Sequence, residues 1–198
     1  MASFQSTVRK DMRVARRALT SAQQRNAAYG LLNQVLKHPL YQRSRRIAFY
    51  LPNDGEIDPT PALRKALDRN KECYLPVLYR GGENRLLFGR TLTLMNMKLN
   101  RFGIPEPNIA KFGWVFSNEL DLILAPLVAF DDEGNRIGMG GGFYDSSLKH
   151  LRLNRNWQRP YVLGLAHEFQ HVESIGRNAW DIPLRGAITD QQIYKFGN

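Results

Sequence analysis

One cysteine in 198 residues leaves no partner for an internal disulfide, so packing and hydrogen bonds must hold the fold. Cys73 lies in an apolar, strand-like stretch where a small buried role suits it better than a reactive one. Long hydrophobic runs are missing too. The longest, Leu122 to Phe130, is nine residues and is broken by Pro126, far below the roughly 20 that cross a bilayer. The opening MASFQSTVRKDM lacks the apolar core of a signal peptide. These absences predict a cytoplasmic protein with no membrane partner. No repeat, low-complexity tract or Pro/Ser linker divides the chain, so one domain over residues 1–198 is expected. Its 43% hydrophobic and 11% aromatic content is ordinary for a globular core.

Acidic residues are scarce at one end only. Residues 1–46 hold ten Lys or Arg against Asp11 alone, which accounts for most of the net charge of +10. Such a segment can grip nucleic acid, a membrane surface or an anionic small substrate, or it can be a plain solvated helix face. Interleaved aromatics and a recognition-helix motif are absent, which weakens the nucleic-acid reading.

Val8, Met12, Ala15 and Leu19 fall at helical spacing, with Ser6 and Thr7 available as caps and Arg9, Arg13, Arg16 and Arg17 on other faces. Thr20 and Ser21 followed by Gln23 and Gln24 mark a second helix, expected to end near His38-Pro39. The basic segment to about residue 45 is thus expected to be helical and to pack on the rest of the chain. From Arg46 short apolar strands (RIAFYL, CYLPVL, LDLILAPLVAF, YVLGLA) alternate with helical stretches such as PALRKALDRN and Tyr144 to Leu153. Strands apolar on both faces imply an α/β fold: an open, mainly parallel sheet with helices on both faces.

Asp131 to Leu148, DDEGNRIGMGGGFYDSSL, is the most informative stretch. Glycine at 138, 140, 141 and 142 lets backbone N–H groups approach a ligand closely and form a concavity suited to phosphate oxygens. The two commonest phosphate motifs are absent. A P-loop needs Gly-Lys-Ser/Thr, and no lysine lies between Lys111 and Lys149; a dinucleotide fingerprint needs Gly or Ala where Phe143 stands. A tight strand-to-helix loop would also use these glycines. Arg136 and Asp145 flank them, however, as a nucleotide and its metal require, and the loop follows a strand end, where such sheets bind ligands.

Phe130 through Asp145 resembles the signature of the 5-formyltetrahydrofolate cyclo-ligase (5,10-methenyltetrahydrofolate synthetase) family, F-D-x-x-G-x-R-L-G-x-G-x-G-[YF]-Y-D, with Ile137 for the usual Leu. The resemblance extends to YLPNDGEIDP (Tyr50 to Pro59), YLPV (Tyr74 to Val77), RFGIPEP (Arg101 to Pro107) and WDIPLRGAITD (Trp180 to Asp190), which covers nearly the whole chain. It implies a fold similar to the sugar-phosphate isomerase and CoA-transferase class. It also implies an ATP- and Mg²⁺-dependent ligase that closes 5-formyltetrahydrofolate to the 5,10-methenyl form through a phosphorylated formyl group, as a monomer or else a dimer.

Carried over residue by residue, the resemblance places Arg9, Arg136, Ile137, Gly138, Met139, Gly140, Gly141, Gly142, Phe143 and Tyr144 on ATP, with Arg136 and Tyr144 as catalytic candidates. Reduced folate would meet Glu56 and the stretch Met139, Gly140, Gly141, Gly142 and Phe143. Asp145 and Asp181 would hold Mg²⁺, although Asp145 also suits a helix N-cap and Glu56 a solvated loop acid. The other N-terminal arginines, Arg13 and Arg16 among them, would attract a polyglutamate tail on the folate. Relatives often carry lysine where Gln5 and Gly141 stand and arginine where Ser146 stands. The other readings are a different ATP-using or sugar-phosphate enzyme on the same fold, and a basic nucleic-acid module.

His167 and His171, four apart, would share a face of a helix, but no third ligand or HExxH frame accompanies them, so zinc is not expected. Trp114, Trp157 and Trp180 are expected as core or loop anchors.

Overall fold

The structure is a computed structural model and describes residues 4–95, 97–108, 113–153, 159–176, 182 and 184–196. Three helices open the chain: α1 (Phe4–Ala18), α2 (Ser21–Lys37) and α3 (Pro39–Arg43). Thr20 caps α2 as its sequence predicts. Its Oγ1 accepts from the Gln23 N–H at 3.2 Å while its own N–H donates to Gln23 Oε1 at 2.9 Å, a reciprocal capping box. α2 stops at Lys37 because His38 is extended ahead of Pro39, the conformation a following proline favours. α1 already includes Phe4, so Ser6 and Thr7 lie inside its first turn and do not cap it. Val8 and Met12 do form its apolar stripe, packed against Val128, Ala129, Ile137 and Ile175.

The chain continues through β1 (Arg46–Ala48), α4 (Thr60–Asp68), β2 (Glu72–Leu78), β3 (Leu86–Thr91), β4 (Met97–Leu99), β5 (Pro105–Pro107) and β6 (Trp114–Val115). Then come β7 (Leu122–Pro126), β8 (Ala129–Phe130), β9 (Arg136–Ile137), α5 (Phe143–Ser147), α6 (Lys149–Leu153), β10 (Tyr161–Leu165), β11 (Gly186–Ile188) and β12 (Ile193–Lys195). Eight strands form one sheet in the order β12-β11-β10-β7-β1-β2-β3-β6. It is parallel from β11 across to β2 and antiparallel at both margins.

Both faces are covered, which is why the central strands read as unbroken apolar runs. Ile47, Phe49, Leu122, Leu124 and Leu163 pack with Leu31 and Val35 of α2, Tyr41 of α3 and Leu63 of α4. The alternate residues Ala48, Ile123, Ala125 and Val162 pack on the other face with Leu148, Phe143 and Tyr144. Cys73 is buried in the first cluster, and burial pushes its thiol up to about 12, so the apolar role expected of it holds.

Two further expectations need correction. The run Leu122 to Phe130 is not one strand, because Pro126 has no N–H to continue the ladder. Buried Gln170 takes the freed carbonyls, donating to Leu127 O at 2.9 Å and Val128 O at 2.8 Å. β8 then leaves the sheet and pairs with β9 in a hairpin. The expected helix from Tyr144 to Leu153 is likewise two short helices, α5 and α6.

β1 leads to β2 on one side of the sheet and β7 leads to β10 on the other. The carboxyl ends of β1 and β7 therefore form the switch point where sheets of this kind open a crevice.

Candidate active site

The loop after β1 supplies one wall. Asp54 and Gly55 have φ of 53° and 74°, and a Cβ on Gly55 would meet the backbone of Arg16 at 2.9 Å, so glycine is required there. Asp54 gathers three arginines of α1: Arg13 Nε at 2.7 Å, Arg16 Nη2 at 3.2 Å and Arg17. Burial works against its ionisation, yet the bonds from Arg13 and Arg17 outweigh that and hold the carboxyl below its usual range.

Arg13 and Arg16 both pair with Asp54, and the burial of Arg16 removes it as a direct contact for an acidic tail, whereas Arg13 stays partly exposed. The turn brings Glu56 inward, where Oε2 accepts from the Asn53 N–H at 3.1 Å. Glu56 is therefore not a solvated loop acid. Burial raises its carboxyl to about 7, against the opposing pull of the Asn53 N–H and the Arg16 charge. Beneath it Tyr50 donates to Ile57 O at 2.8 Å.

The loop after β9 supplies the facing wall. Its foundation is Asp131, a fully buried acid that stands in the signature but is given no role by the sequence. The carboxylate accepts from the N–H groups of Glu133, Asn135 and Ile175 and from Asn135 Nδ2, which fixes the turn between β8 and β9. Arg136 at the end of this turn donates through Nη2 to Asp145 Oδ1 at 2.5 Å and through Nη1 to the Ile182 carbonyl. Asp145 thus pairs with Arg136 rather than capping α5, whose N-cap is Gly142.

Gly140 and Gly142 have φ of 90° and 65°. A Cβ at Gly138, Gly140 or Gly142 would meet nothing within 4 Å, so these backbone faces look onto open space. Arg9 Nε donates to Gly138 O at 2.8 Å, and Asn84 Nδ2 donates to Gly141 O at 3.0 Å. Gln5, at one of the departures from the family pattern, accepts from Arg9 Nη2 at 3.5 Å. Phe143 meets Phe102 edge to face at 5.7 Å between ring centres. The Tyr144 hydroxyl is pushed far up, first by burial and then by the nearby Glu56 charge, and so stays a neutral donor.

The two walls enclose a cavity of about 590 Å³, in the range of small-molecule sites. Arg9, Glu56, Arg136, Ile137, the four glycines, Met139, Phe143, Tyr144 and Asp145 all line it. Leu78, Leu86, Ile104 and Leu127 give it an apolar side. Asp181 lies outside the described residues, as do Trp157 and Trp180. Asn53, Tyr50, Asn84 and Phe102 were missed as site residues. Phe102 had a signal in RFGIPEP, whereas Asn84 sits in an unpatterned loop. His167 and His171 flank a three-residue 3-10 turn, not a helix face, and bond separately to the Gly55 carbonyl and Asp132. Among the described residues no cluster of three metal-ligating side chains occurs, and no helix is long and apolar enough to cross a membrane.

The model of the 5-formyltetrahydrofolate cyclo-ligase family matches residues 2–190. The chain belongs to that family. It is 40% identical to the 5-formyltetrahydrofolate cyclo-ligase of Haemophilus influenzae over 89% of this chain and 92% of that one. It is 34% identical to the Escherichia coli enzyme of the same name over 93% of this chain and all of the other. The NMR structure of Aquifex aeolicus 5,10-methenyltetrahydrofolate synthetase superposes with a TM-score of 0.82 at 30% identity, covering 99% of this chain and 94% of that one. Family membership decides among the readings left by the sequence: the chain is a 5-formyltetrahydrofolate cyclo-ligase enzyme that converts 5-formyltetrahydrofolate to 5,10-methenyltetrahydrofolate. Its substrates are reduced folate and ATP.

Proposed function

We propose that this one cavity holds both substrates, ATP along Gly138 to Gly142 and the pterin between Glu56 and Phe143, in a one-domain cytoplasmic monomer. The N5-formyl carbon is amide-like, a poor electrophile whose oxygen is a poor leaving group. Transfer of the γ-phosphoryl group of ATP to that oxygen gives an iminophosphate and ADP. N10 then attacks the activated carbon, the C–O bond breaks, and phosphate leaves as the ring closes. No side-chain nucleophile is needed, so catalysis is positioning plus electrostatics.

Arg136, 7% exposed at its side chain and held in place by Ile182 O, neutralises charge that builds during transfer. Arg9 reaches the nucleotide from α1, already docked on Gly138 O. Tyr144 presents its neutral hydroxyl to the triphosphate, and Met139 with Phe143 lines the folate side. Glu56 accepts from the pterin amino and ring N–H groups, a pairing that rejects analogues lacking them.

The donor set fits Mg²⁺. Asp145 offers a half-buried carboxylate at the cavity wall, and Asp181 is the second carboxylate that the family resemblance implies. Two hard carboxylates sharing the ion with phosphates is how Mg²⁺ is usually held, and it would offset phosphate charge there.

The observation that carries this reading is the convergence of Glu56, Arg136, Asp145 and the open glycine faces on one cavity at the switch point of the sheet. Formation of the methenyl product, followed by its near-ultraviolet absorbance with and without ATP and Mg²⁺, tests it. The expected signal needs both and disappears in Asp145→Ala. Turnover independent of Mg²⁺ and unchanged in that variant would refute the assignment.

A further inference from the structure

Arg16 is 1% exposed, an unusual place for a guanidinium. Its Nη2 donates to Asp54 Oδ2 at 3.2 Å and lies 3.8 Å from Met139 Sδ. Its Nε and Nη1 are buried with no hydrogen-bond partner among the described residues. Nη1 stands 4.0 Å from Glu56 Oε1, inside ion-pair range but beyond a hydrogen bond. Buried charge is retained only where something compensates it. Anchoring α1 does not explain Arg16, because Arg13 and Arg17 already bind the same Asp54 carboxylate from the solvent side.

We propose that Arg16 is a positioning residue for Glu56: its buried guanidinium holds the carboxylate aimed at the pterin, closing the remaining gap when folate covers it. This rests on the reading of Glu56 as the folate contact. The surroundings of Glu56 leave the task to Arg16. Asp54 on its own loop opposes ionisation, while Tyr50 after β1 and Tyr144 from α5 are both neutral. His167 reaches the Gly55 carbonyl instead, and burial makes its ring harder to protonate. Arg16 is the permanent cation whose charge bears on Glu56. The arrangement also joins α1 to both walls at once, since the same guanidinium touches Met139 of the Gly-rich loop.

Steady-state kinetics of Arg16→Met, Arg16→Lys, Glu56→Gln and the Met/Gln double variant test this, with KM measured separately for folate and ATP across pH. Arg16→Met is expected to raise the folate KM by about tenfold or more with the ATP KM unchanged. Its acid limb of kcat/KM for folate should move to higher pH, because a carboxyl without its cation is harder to ionise. Arg16→Lys should fall between Met and wild type, and adding Arg16→Met to Glu56→Gln should change folate KM little further.

An equal rise in both KM values with the acid limb in place would overturn the proposal and leave Arg16 a merely structural anchor. Should Arg16→Met fail to fold, Arg16→Lys against wild type decides: an acid limb shifted upward supports the proposal, and an unshifted limb overturns it. If Glu56→Gln itself leaves folate KM and the acid limb untouched, the assignment of Glu56 to folate fails first, and the proposal falls with it.

Discussion

The two loops that face each other across the cavity are built in opposite ways. The turn at Asn53 to Glu56 is locked: three arginines close on Asp54, Gly55 presses against the backbone of Arg16, and Gln24 and His167 both reach the Gly55 carbonyl. The Gly138 to Gly142 loop is anchored at its base by Arg136 and Asp131 but leaves the faces of Gly138, Gly140 and Gly142 bare. A locked turn suits recognition of a rigid pterin through one aimed carboxylate. A bare backbone cradle suits a flexible polyphosphate whose charge builds during the reaction. In the proposed function, this difference gives selectivity to the first loop and rate to the second.

Removing Arg136 challenges that division of labour hardest. Arg136→Ala is expected to lower kcat by roughly 10²- to 10³-fold, as loss of a positioned charge-stabilising donor does. Equilibrium titration should find folate affinity unchanged. A loss of folate affinity instead would mean that the two loops do not divide the work.

Glu56→Gln should do the reverse, raising folate KM by about 10- to 100-fold, the worth of hydrogen bonds to a charged group, with ATP KM unaffected. The same carboxyl sets a pH dependence. Because it is raised to about 7, kcat/KM for folate should fall as pH drops through 7, when the protonated group loses acceptor capacity, and Glu56→Gln should flatten that limb. The stability effect has the opposite sense. A carboxyl raised above its unfolded value of about 4 costs stability as pH rises from there toward 7. Thermal melts of Glu56→Gln should therefore gain on wild type across that window.

Alanine at the glycines gives the smallest effects and separates the loops by stability alone. Gly142→Ala keeps a φ of 65° that costs about 1 kcal/mol, a Tm loss of roughly 2–4 °C. Gly55→Ala adds a backbone clash at 2.9 Å to the same penalty and should lose more. Gly138→Ala, with neither strain nor clash, should keep its Tm while its methyl group raises the ATP KM. Equal Tm losses at Gly55 and Gly142 would show that the first loop is not locked.

Much of this was legible in the sequence because it is local. Thr20 and Gln23 form a capping box within four residues, and the glycines announce a bare loop wherever the chain runs. Covered faces explain why the central strands read as apolar runs. What was illegible depends on partners far along the chain. Arg16 reads as one more basic residue on a solvated helix until Asp54 and Glu56, some 40 residues away, are seen to surround it. Asp131 reads as one acid of a pair until Ile175 donates to it. The nine-residue run Leu122 to Phe130 hides its break, because Leu127 and Val128 are as buried as a strand would make them while Gln170 takes their carbonyls.

In the proposed reaction the cavity brings the γ-phosphoryl group of ATP onto the formyl oxygen of the folate. A single turnover with ¹⁸O in the formyl group reads this transfer. The released phosphate should carry the label in step with methenyl formation. Unlabelled phosphate, with the label lost to water, would mean that the formyl oxygen is never phosphorylated.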